Sequence, residues 1–138
     1  MPISWEPSMA TGIARIDDQH RTLVDTLNYV THTLASDMTP GDLQSILDWL
    51  GNYADSHFLF EEACMDRYRC PRAAENRAAH KQFRDLFQEV REQQAQGIDT
   101  RELGILIEQR LSNWLLDHLC GVDSALGKCV RQAAPGTH

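Results

Sequence analysis

The chain is predicted to be all-α: an up-down-up-down four-helix bundle preceded by an N-terminal arm. Three observations carry this prediction. Apolar residues recur every three or four positions along four stretches, short breaks separate those stretches, and 138 residues suit one sizeable core. Short connections between long helices make antiparallel neighbours. The expected organisation is a single domain over residues 1–138, with an arm over 1–15 and helices over 16–37, 41–68, 71–96 and 100–120. A short C-terminal segment, 121–138, is expected to follow.

In the first helix Ile16, His20, Leu23, Leu27, Val30 and Leu34 step by alternating fours and threes, a seam of period 3.5. Pro40 and Gly41 break the chain. The second helix continues with Leu43, Leu47, Leu50, Ala54, His57, Glu61, Met65 and Tyr68. Pro71 suits the first position of the third helix, which carries Ala73, Asn76, His80, Phe83, Phe87 and Val90. Residues 97–100, GIDT, end it, and the fourth helix carries Ile107, Leu111, Trp114 and His118.

Composition narrows the function classes. A formal charge of −7 with no basic stripe argues against nucleic acid or an anionic membrane surface as partner. No apolar run approaches the roughly 20 residues of a membrane span, and MPISWEPSMATG lacks the regions of a signal peptide. The four cysteines, Cys64, Cys70, Cys120 and Cys129, form no CxxC pair, so reduced thiols in a cytoplasmic protein are expected.

The exceptions to the apolar rule carry the chemistry. His20, His57, Glu61, Asn76, His80 and His118 all occupy seam positions. A single buried histidine is ordinarily a hydrogen-bonded core residue. Four of them on four helices, with a carboxylate, strain that account. In antiparallel packing the early positions of helices one and three meet the late positions of helices two and four, so these residues converge at one end of the bundle. Imidazoles and a carboxylate gathered in a dry core suit iron, zinc or a related divalent ion.

The run GIARIDDQH, then HFLFEE, then a histidine three residues before a phenylalanine, then HLCGVD, resembles a bacterial hemerythrin over nearly the whole chain. Trp5, Gly12, Ile16, Asp17 and Asn28 also match that family's tendencies. The resemblance implies two non-haem iron ions joined by a bridging hydroxide or oxo group, with dioxygen binding reversibly at one of them. It implies that His20 and His57 ligate the oxygen-binding iron, that His80 and His118 ligate the other, and that Glu61 and Asp123 bridge both. It further implies that Trp114, Leu115 and Leu119 wall the oxygen pocket; plain core packing explains the same three residues. Five residues separate Asp123 from His118, about 140° on an ideal helix, so a helix end near Gly121 has to swing that carboxylate inward. Otherwise Asp123 is an exposed acid.

The family's third element is HxxxH, and here it reads Asn76-Arg-Ala-Ala-His80. Asparagine is a neutral, weaker donor with a shorter reach than imidazole, so weaker binding of the second iron, held by His80 and His118, is one expected outcome. Asn76 either contacts the metal, directly or through water, or merely caps the helix or binds water. Three functional readings follow. The first is a dioxygen-binding di-iron protein for delivery, storage or sensing, more an oxygen-binding protein than an enzyme. The second is an oxidoreductase consuming peroxide or nitric oxide at an altered centre. The third is a protein with only the His20/His57/Glu61 site filled, with zinc, for which two histidines and a glutamate are a known set, as a candidate ion. Ferritin-type iron oxidation is disfavoured, because those bundles use Glu-x-x-His pairs and more carboxylates. Dioxygen is the expected partner, and the sequence names no protein partner.

Overall fold

The computed structural model describes residues 3–33 and 39–133, apart from the side chains of residues 8, 122–125 and 133. Four rods surround one seam: α1 (Ala14–Thr33), α2 (Pro40–Arg67), α3 (Ala73–Ala95), and a composite fourth rod. The fourth consists of α4 (Thr100–Ile107), a π-helical turn (Glu108–Ser112) and α5 (Asn113–Cys120). Helix α1 lies beside α2 and the fourth rod, and α3 touches the same two elements from the other side, as the bundle prediction requires. No described helix is long and apolar enough to cross a membrane.

Local chemistry sets the ends. Thr39 caps α2 by accepting from the Asp42 amide, Asp42 returns a bond to the Thr39 amide, and Pro40 fills the first turn. At the far end Arg69 takes a left-handed backbone, φ 52°. The Cys70 amide then donates to Met65 O at 2.9 Å and the Arg69 amide to Asp66 O at 3.2 Å. These two bonds form a Schellman turn, with arginine where glycine is usual. The turn holds Pro71 outside the next helix, so α3 starts at Ala73 rather than at 71. The predicted end of the first helix, at 37, lies outside the described residues.

Two expectations are corrected. The segment after Gly121 is not a tail: the fourth rod breaks there and a further helix, α6 (Val122–Ala133), follows. Nor are all four thiols free, since Cys70 in the α2–α3 turn and Cys129 on α6 form a disulfide, leaving Cys64 and Cys120. The N-terminal arm meets α6 as well. A Cβ on Gly127 would sit 2.0 Å from Thr11 O, so α6 packs directly on the arm's backbone, and Arg131 Nη1 donates to that same oxygen at 3.1 Å. Asp17 holds the arm from α1, accepting from Thr11 N and Thr11 Oγ1, each at 2.8 Å, and from Gly12 N at 3.2 Å. Asn28 exchanges two hydrogen bonds with the Ile3 backbone. Two of the family-like residues thus tie the arm down.

Packing divides the seam into two apolar clusters. The larger gathers Leu23, Leu27, Leu47, Leu50, Phe58, Phe83, Leu111 and Trp114, among others. The smaller gathers Ile16, Met65, Cys70 and Leu126 beside the disulfide. His20 lies between Ile16 and Leu23 on α1, Glu61 between Phe58 and Met65 on α2, and Asn76 and His80 between Ala73 and Phe83 on α3. The polar residues therefore form one layer with apolar packing above and below.

Candidate metal centre

Every predicted seam residue in that layer is buried. His20, Glu61, Asn76 and His80 are each 0% exposed, and His57 and His118 nearly so. Charged and polar groups this deep need partners. The four rods supply them through one carboxylate, Glu61, which sits at the centre of the layer.

Glu61 divides its oxygens between two sides. Oε2 lies 3.1 Å from His20 Nε2 and 3.2 Å from His57 Nε2. Oε1 lies 3.0 Å from His80 Nε2 and 3.5 Å from His118 Nε2. The imidazoles are paired accordingly. The rings of His20 and His57 meet edge to face at 4.6 Å, and those of His80 and His118 at 5.1 Å. His20, His57 and Glu61 form one group able to hold a metal ion, and Glu61, His80 and His118 a second; within each, the donor atoms lie within 4.8 Å of one another.

Two further residues orient the rings, and sequence reasoning missed both. Gln19 Oε1 accepts from His57 Nδ1 at 2.6 Å, and Glu62 Oε2 accepts from His80 Nδ1 at 2.8 Å. Arg77 Nε lies 3.6 Å from the other Glu62 oxygen and shares its charge. A proton on Nδ1 leaves the Nε2 of a neutral imidazole as an acceptor. Two such acceptors then face the Glu61 carboxylate, which also only accepts. A cation between them resolves the conflict, and the donor set of imidazole nitrogens and carboxylate oxygens fits an iron-like ion. Burial alone would raise the Glu61 pKa, but hydrogen bonds from His118, His20, His57 and His80 outweigh it and hold the carboxyl well below its ordinary range.

Asn76 is neither a helix cap nor a surface residue. Its own amide donates to Arg72 O, within the first turn of α3. Its Nδ2 donates to Glu61 Oε1 at 3.0 Å, while Oδ1 is buried without a hydrogen-bond partner among the described residues. Glu75, next to it in sequence, is exposed and paired with Arg72. The Asp123 side chain lies outside the described residues. Its backbone belongs to α6, just past the break at Gly121.

Aromatic groups close the layer. Phe58 stacks on His80 at 4.0 Å, and Trp114 stacks on His118 at 4.5 Å. Trp114, Leu115 and Leu119, the expected pocket wall, are buried in the larger cluster. Trp114 and His118 also line a cleft of about 380 Å³ between α3 and the fourth rod, with Ala79, Gln82 and Asn113 around it. Cys64 packs at the smaller cluster, its thiol pushed up by burial and by the Glu61 charge.

The chain is similar to known proteins over most of its length. The profile described as Hemerythrin HHE cation binding domain matches residues 11–130. The chain is 30% identical over 127 residues to a bacteriohemerythrin of Stenotrophomonas maltophilia, covering 92% of this chain and 80% of that protein. It is 29% identical over 132 residues to one from Pseudomonas aeruginosa, with 94% and 82% covered. A bacteriohemerythrin of Methylococcus capsulatus is 26% identical over 129 residues, with 93% and 96% covered.

Proposed function

The chain belongs to the hemerythrin HHE cation binding domain family, and from that premise we propose that it is a non-haem di-iron protein that binds dioxygen reversibly, for delivery, storage or sensing. The observation that carries this reading is the division of Glu61, one oxygen toward His20 and His57 and the other toward His80 and His118. A carboxylate so placed would serve two ions at once. In this reading His20 and His57 would hold the ion that serves dioxygen, His80 and His118 would hold the other, and Asp123 would supply a second carboxylate to both.

When bound, a ferrous pair supplies the electrons for reversible dioxygen binding. The chain's own residues do the rest. Glu61 would offset part of the ions' charge in a layer buried between two apolar clusters. Gln19 and Glu62 hold protons on His57 Nδ1 and His80 Nδ1, so that each Nε2 lone pair faces inward. Phe58, Trp114, Leu115 and Leu119 shield the layer from bulk water on its apolar side, which would slow irreversible oxidation.

The test is iron analysis together with optical spectra through alternating anaerobic and aerobic cycles. The reading expects two irons per chain and an absorption band that comes and goes with oxygen. Two bound irons with no oxygen-dependent band would overturn it. The second reading, an oxidoreductase consuming peroxide or nitric oxide, is favoured by the amide of Asn76 where the family pattern has an imidazole. Sustained peroxide consumption without a reversible band would select it.

A further inference from the structure

The two halves of the layer are chemically alike in this chain. On each side of Glu61 stand two imidazoles and one carboxylate oxygen. A set of two histidines and one carboxylate characteristically leaves coordination positions open on iron. The nitrogen that the HxxxH pattern would add on the His80 side is absent, and Asn76 stands in its place.

Asn76 does not fill the gap. Its amide orientation is set by Glu61: turned the other way, Oδ1 would meet Oε1 at 3.0 Å, acceptor against acceptor. The amide is therefore committed to holding the carboxylate, and a metal ion repels the N–H group that faces it. Oδ1 stays buried and unpartnered among the described residues. Such an acceptor in a dry layer calls for a donor, and water is the smallest one available. The cleft between α3 and the fourth rod reaches the ring of His118 on this side: Trp114 and His118, 8% and 5% exposed, line it along with Ala79, the neighbour of His80.

Resting on the two-ion reading above, we propose that a coordination position beside Asn76, on the His80/His118 side, takes a small exogenous ligand. With the ions bound, that position would hold a water able to donate to Asn76 Oδ1, and a small anion could replace it from the side of the cleft that His118 lines. The pair then accepts one exogenous ligand on each side of Glu61 rather than on one side alone. Asn76 acts as a positioning residue for Glu61 and for the incoming ligand.

The experiment is an azide titration of the iron-loaded, oxidised protein, followed by difference absorption, with iron content measured on the same samples. The expected result is two azide ions per iron pair in the native chain, falling to one in Asn76→His, where imidazole fills the position. Asn76→Ala, which leaves the position empty, should keep two. One azide per pair in the native chain overturns the proposal. If Asn76→Ala then rises to two, the amide oxygen was itself the ligand. Fewer than two irons per chain overturns instead the di-iron reading on which the proposal stands, so the two failures are distinguishable.

Discussion

His57 and His80 each commit Nδ1 to an acceptor on a neighbouring residue, and that commitment decides where the lone pair of Nε2 goes. Removing such an orienting partner typically costs a metal site roughly 10–100-fold in affinity although every ligand remains. Glu62→Ala should therefore weaken binding by about that factor, measured by competition with a chelator; unchanged affinity would deny Glu62 its orienting role. His57→Ala should abolish binding at its own side, whereas His32→Ala, on the exposed face of α1, should leave metal content as it was. Equal metal loss from both substitutions, in folded protein, would show that the seam histidines are not the ligands. The seam histidines were legible in the sequence because imidazole is out of place at an apolar period. Gln19 and Glu62 were not, because they lie one residue off that period and resemble ordinary flanking polar residues. Asn76 was legible as a departure from HxxxH, but its hydrogen bond to Glu61 depends on side-chain geometry that spacing does not carry.

At the scale of elements, the four rods were legible from periodicity and the fourth rod's irregularity was not. The π-helical turn Glu108–Ser112 sits where Ile107, Leu111, Trp114 and His118 continue the buried face, and an apolar period cannot distinguish it from ordinary helix. Helix α6 escaped notice for a related reason: after Gly121 only a short stripe of Leu126, Cys129 and Val130 remains, too brief to set a period. Pro71 misplaced the start of α3 because the Schellman turn before it, closed by Arg69 rather than glycine, gives no compositional signal. The disulfide spans a sequence separation of 59, and only the placement of α6 brings its partners together. That helix depends on Gly127, where any side chain would collide with the Thr11 backbone. Gly127→Ala should cost about 1–3 kcal/mol, the usual range for overpacking, read from urea unfolding. No change in midpoint would mean that the arm and α6 are not packed as described.

The whole molecule is a stack: a large apolar cluster, a polar layer and a small apolar cluster sealed by α6, the arm and the disulfide. Within that stack each rod contributes at least one imidazole or carboxylate to the layer, so the site exists only when all four are docked. Glu61 is the residue on which both halves depend, since its oxygens are divided between the two imidazole pairs. Bundle topology brings these residues into one layer, and the sharing of Glu61 between two pairs, which in the sequence only the family resemblance implied, takes its distances from the fold. The most direct test is an anaerobic ferrous iron titration of the native chain beside Glu61→Gln, which keeps the side chain's size and removes its charge. The account predicts two ions per native chain and a loss of affinity for both ions together in the variant. If the variant still binds one ion with native affinity, Glu61 does not join two sites, and the central claim is contradicted.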